Sequence, residues 1–133
     1  MSVVKSKRGE GKLLVITRAN ELAAYTIKIC SNEKNFPKRY RWCISNKLVE
    51  AALSINNNIV AANSVYVADN DEQAYNLRRQ YQTKALAETY ALLSMIDIAY
   101  RTFGIESGRV EFWTHLAKEV QALLRNWRKS ESK

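Results

Sequence analysis

The chain has 133 residues, the length of one domain around a single core. It is 47% hydrophobic and 26% charged with only four glycines and one proline, which sets aside turn-rich all-β folds, collagen-like and low-complexity chains, and a glycine-rich phosphate loop. Twenty-one Lys and Arg against thirteen Asp and Glu leave a net charge of +8, which favours polyanionic partners and says nothing about fold.

Residues 1–11 read as a flexible basic N-terminus containing Lys5, Lys7 and Arg8. The apolar run that follows, residues 13–16, is too short for a signal sequence, and no stretch approaches the ~20 apolar residues of a membrane span. A cytoplasmic protein is expected. The domain itself spans residues 12–130, with 131–133 as a tail. A first helix over residues 12–31 is predicted from Ile16, Ala19, Ala23, Thr26, Ile27 and Cys30, which recur at helical spacing. Residues 31–35 are a polar break, and Pro37 then suits the first turn of a second helix over residues 37–68. Its core stripe is Ile44, Leu48, Ala51, Ile55, Ile59 and Ala62.

Asp69-Asn70-Asp71 reads as a turn whose carboxylates lie near the next helix N-terminus. The third helix, residues 72–103, carries Ala74, Tyr81, Ala85, Leu92, Ile96, Ala99 and Phe103, and Gly104 follows as a C′ glycine. The fourth begins near Ser107 and places Trp113, Leu116, Ala117, Val120, Leu123, Leu124 and Trp127 on one face. The expected fold is all-α, an antiparallel up-down-up-down four-helix bundle.

Two helices carry a second apolar row. On helix two it is Trp42, Val49, Leu53, Val60 and Val67; on helix three it is Leu86, Tyr90, Leu93 and Tyr100. The outer face of a surface helix in a monomer is normally polar, and extended apolar patches mark interfaces. Assembly of several copies into a closed homo-oligomer is therefore expected.

Catalytic chemistry finds little to build on. The single histidine, His115, stands one turn after Glu111 as a solvated pair. Bundle di-metal sites need Glu-x-x-His twice, a spacing that does not occur here. Glu88 is expected to pair across the core with Arg41 or Arg78, and Asp97 has no accompanying base for acid–base work. Cys30 and Cys43 are too few for a disulfide framework or a zinc site. No catalytic residue, metal or cofactor is expected, and the chain reads as a non-enzyme.

The positive charge is clustered. Residues 34–47 hold Lys34, Lys38, Arg39, Arg41 and Lys47 with no acid among them, at a helix N-terminus that already attracts phosphate. Arg78 and Arg79 open helix three, and Arg125, Arg128 and Lys129 close helix four, so the charge divides between two ends of the bundle. Binding through such patches depends on salt and little on sequence. Trp42, beside these bases, is suited either to stacking on an unpaired base or to a subunit contact.

Several weak signals then fall in a particular order. Residues 36–41 (Phe-Pro-Lys-Arg-Tyr-Arg) are followed by Asn46, Ala51-Ala52-Leu53, Ile59 and Ala62-Asn63. Next come Arg78, Gln82, Ala85, Leu92-Leu93, Ala99-Tyr100, Gly104-Ile105, Trp127 and Lys129-Ser130. This order resembles the accessory variability determinant family of diversity-generating retroelements, which is related to the four-helix proteins of 23S ribosomal RNA intervening sequences. The resemblance spans residues 12–130, and Arg125-Asn126 depart from it where small residues often precede the final Trp. It implies a basic bundle forming a barrel-shaped homopentamer. Such a protein binds RNA or DNA and the reverse transcriptase of its element, supporting cDNA synthesis from template RNA during mutagenic retrohoming. It also implies phosphate contacts for Lys38, Arg39 and Arg41, with Arg78, Arg79, Arg125, Arg128 and Lys129 beside them. The alternatives are a protein-binding helical adaptor and an intervening-sequence protein with no retroelement role.

Overall fold

The computed structural model describes the backbone of residues 2–132 and the side chains of residues 11–132. Four α-helices follow one another: α1 (Ser2–Ser31), α2 (Asn46–Ser64), α3 (Glu72–Phe103) and α4 (Ser107–Ser130). Each packs on the next, and α4 returns to pack on α1, so the four close a ring around one core. The described residues form a four-helix bundle without strands.

The ends of α3 and α4 follow local chemistry. The Asp71 side chain accepts the Ala74 N–H at 3.0 Å, satisfying one of the free donors of the α3 first turn. At the other end Gly104 adopts φ 62° and its N–H reaches the Tyr100 carbonyl, a left-handed closure that a side chain would strain. Two other boundaries differ from the sequence reading. Helix α1 begins at Ser2 rather than near Lys12, so the backbone of the basic N-terminal stretch is helical. The second helix is broken at both ends. Lys38–Tyr40 form a 3₁₀ turn, Arg41–Ser45 a π-turn, and regular α-helix starts only at Asn46. Pro37 stands just before the 3₁₀ turn, and its carbonyl accepts the Tyr40 N–H. At the far end Val65 turns extended, so Val67 lies in the following connection and not on a helical row.

The core is made by Val15, Leu22 and Ile29 of α1, Leu48, Ile55 and Ile59 of α2, Leu92 and Ile96 of α3, and Trp113, Val120 and Leu124 of α4. Ile27, expected inside, is exposed: Thr26 and Ile29 face inward, which turns the residue after Thr26 away. Alanines at 19, 52, 62, 85, 99 and 117 are buried and let the helices approach closely. Polar pairs bridge helices within this core. The Trp113 indole N–H donates to the Thr26 hydroxyl at 2.9 Å, and that hydroxyl donates onward to the Leu22 carbonyl. Gln121 donates to the Thr89 hydroxyl. Three pairs connect α1 with α4 and its end: Lys12 with Glu131, Arg18 with Glu119, and Thr26 with Trp113.

A buried donor stripped of its acceptor costs about 1–3 kcal/mol. Thr26→Val, which keeps shape but removes the hydroxyl, is expected to lower unfolding free energy in urea by about that amount. Thr26→Ser, which keeps the oxygen, is expected to cost less; equal midpoints for T26V and the parent chain would contradict the pairing.

Candidate nucleic-acid interface

The connection from α1 to α2 is fixed by Asn32, Asn35 and Phe36. The Asn32 carbonyl accepts N–H groups from Asn35 and Phe36, and its side chain accepts from the Lys34 N–H, which forms a tight polar turn. Phe36 then enters the core at 2% exposure. Its ring meets Phe103 at 5.5 Å and Trp113 at 6.2 Å, both edge-on. Tyr40 lies on Phe103 at 5.4 Å, and the Arg39 guanidinium stands 5.0 Å over the Tyr40 ring. The aromatic series thus runs from Trp113 at the centre of the bundle out to Arg39 on its surface.

This anchoring presents a row of cations. Lys34, Lys38, Arg39, Arg41 and Lys47 are all exposed, and none forms an ion pair among the described residues. Lys28, near the end of α1, is likewise exposed and forms no ion pair among the described residues; it borders a separate cleft with Arg109. Trp42, next to Arg41, is 79% exposed.

The other cations stand differently. The Arg78 guanidinium bonds Glu131 at 2.6 Å and also the Val65 carbonyl, and its side chain is largely buried. Lys12 and Gln82 converge on the same Glu131 carboxylate. Arg79 donates to the Arg128 carbonyl, and Arg128 donates to the Thr83 hydroxyl. Burial first, then the Arg79 charge, pull the Arg128 guanidinium below its usual range. Arg125 and Lys129 are exposed, with Arg125 set 5.3 Å over the Tyr90 ring. Arg78, Arg79 and Arg128 therefore tie α3 to the end of α4, whereas the residue 34–47 cations hold nothing together.

The second apolar rows also divide. Trp42, Leu53, Val60, Tyr90 and Tyr100 are exposed, while Val49 is half-buried and Leu86 and Leu93 pack partly against the chain's own core. Two expected pairs are corrected. Glu88 accepts from the Asn58 amide at 3.0 Å, not from Arg41 or Arg78, because Asn58 faces it across the α2–α3 seam. His115 pairs with Glu119, which Arg18 also engages, and not with Glu111. Asp97 pairs with Arg101 one turn on. Cys43 is exposed, and burial pushes the Cys30 thiol up to about 12. Among the described residues no helix is long and apolar enough to cross a membrane. Compared with known proteins, the chain matches no family model, no curated protein and no solved structure.

Two predictions separate the groups. Glu131→Gln is expected to lower stability by about 1.5–3 kcal/mol, since it removes charge-assisted bonds from a mostly buried guanidinium. Lys38→Ala and Arg41→Ala should each stay within ~0.5 kcal/mol. Urea midpoints measure both, and a destabilised K38A or a neutral E131Q would reverse the assignment. At pH 8 the Cys30 thiolate fraction is on the order of one in ten thousand, given a thiol at about 12. Iodoacetamide is therefore expected to label Cys43 first and Cys30 only on unfolding, read by peptide mass; equal labelling rates would contradict the burial of Cys30.

Proposed function

We propose that the protein is a non-catalytic nucleic-acid-binding accessory factor, of the kind that serves a diversity-generating retroelement in the cytoplasm. Its ligand is template RNA or the cDNA copied from it, and its protein partner is the element's reverse transcriptase. One observation carries this reading: five exposed cations between Lys34 and Lys47 form no ion pair among the described residues, and the connection that leads into them is anchored by the buried Phe36. Cations already paired with a carboxylate are poor phosphate ligands; these form no ion pair among the described residues. The order of weak motifs along residues 36–130, and its resemblance to the accessory variability determinant family, supplies the retroelement context.

The bundle is read as antiparallel, up-down-up-down. That reading is supported by the contacts of α1, which meet residues of α4 in reverse order: 12 with 131, 18 with 119, 26 with 113. Copies assemble into a closed ring, a pentamer by the resemblance, through the exposed apolar side chains Trp42, Leu53, Val60, Tyr90 and Tyr100, with Val49, Leu86 and Leu93 contributing their uncovered edges. Assembly multiplies the cationic surface. Weak phosphate contacts from several subunits then act together on one strand, raising avidity without new contacts.

Filter binding of single-stranded RNA across a salt series tests the reading. Log affinity is expected to fall linearly with log salt, with a slope near −0.7 for each phosphate neutralised. Changing Lys38, Arg39 and Arg41 together to Glu is expected to abolish binding at moderate salt while leaving the helical circular dichroism intact. Absence of RNA binding at low salt, or indifference to the triple change, would sink the proposal and favour a protein-binding adaptor.

A further inference from the structure

Between the end of α1 and the start of α2 lies a cleft of about 210 Å³, bordered by the cationic row. Part of its wall is apolar: Phe36, Pro37, Val49 and the Cys30 thiol, which burial keeps protonated. Pockets for drug-sized ligands begin near ~300 Å³, so this cleft suits something smaller, the size of one flat ring system. Its remaining lining is polar. Lys38 and Arg41 line it, with Ser45 ending the π-turn and Asn46 opening α2, and Glu33 supplies the single acid.

Ser45 is the observation that points to a ligand. It is only 6% exposed, it lines the cleft, and its hydroxyl has no hydrogen-bond partner among the described residues. The hydroxyl is unpartnered within the described residues yet open to the cleft, so a ligand with a polar edge can take it as a hydrogen-bond partner. The backbone here is also unusual: Ser45 ends the π-turn Arg41–Ser45, a type of turn that recurs at functional sites.

Resting on the nucleic-acid reading above, we infer that the cleft takes one unstacked base of a single strand. The ring lies against Pro37 and Val49, and its polar edge meets Ser45 and Asn46. The phosphate of that nucleotide sits on Lys38 and Arg41, away from Glu33, whose carboxylate accepts from a base N–H. A duplex cannot use the cleft, because its bases are stacked and their edges already paired.

The test uses the full chain and a short labelled oligonucleotide, either alone or annealed to its complement, followed by fluorescence anisotropy. The single strand is expected to bind about tenfold tighter than the duplex, the effect of holding one base on an apolar wall. Nucleoside 5′-monophosphates are expected to displace the strand at about tenfold lower concentration than ribose 5-phosphate does. Ser45→Val should narrow the strand-to-duplex ratio and leave duplex affinity unchanged. Equal affinity for strand and duplex, or displacement by ribose 5-phosphate as readily as by the nucleotides, overturns the base cleft while the phosphate-binding proposal stands. No binding of either form at low salt overturns both.

Discussion

Phe36 is the fixed point of the connection between α1 and α2. Its ring is sealed between Phe103 at the end of α3 and Trp113 near the start of α4, and its backbone is held by the turn at Asn32. One side chain thus joins the connection leaving α1 to two other helices. Everything displayed on that connection inherits its placement: Lys38 to Arg41 follow within five residues, and Tyr40 repeats the contact with Phe103. Long, flexible lysine and arginine side chains lose much freedom on binding. A backbone already ordered by an aromatic core adds no further ordering cost, so the presentation of charge is settled by folding rather than by ligand.

The two basic ends show how environment divides one residue type into two roles. The largely buried Arg78 guanidinium donates to the Val65 carbonyl and to Glu131, and the half-buried Arg128 donates to the Thr83 hydroxyl. Breaking such contacts leaves a charge in a desolvated place, which makes these residues part of the fold. At the other end the same kind of side chain reaches into solvent with no ion-pair partner among the described residues, where its contribution to stability is small. Charge that contributes little to folding and is nonetheless displayed on an anchored segment is available for a ligand.

Much of the fold was legible because the signals were local. Asp71 before α3 and Gly104 after it mark their helix ends through contacts of three or four residues, and the observed boundaries fall there. The α4 stripe was readable for a related reason, being a strongly amphipathic helix with bulky residues on one face. What escaped depends on distance or on backbone phase. Nothing near Arg78 in sequence announces Glu131, whose place in the polar tail looks solvated. Ser45 falls on the core face of α2 at a uniform 100° per residue, seven residues before Ala52, but a polar side chain in a basic stretch gives no apolar signal to mark it. Ile27 was misplaced because an apolar residue beside an inward threonine reads as core unless the tertiary face is known.

The residue 34–47 row, rather than the α3–α4 seam, is the surface on which the account turns. Ultraviolet cross-linking of the intact protein to a bound single-stranded oligonucleotide, followed by peptide mass spectrometry, locates the contact without any mutation. Adducts confined to the segment between Lys34 and Val49 are the predicted result. Adducts concentrated instead around Arg78, Arg79 and Arg128, with that segment unmodified, would contradict it.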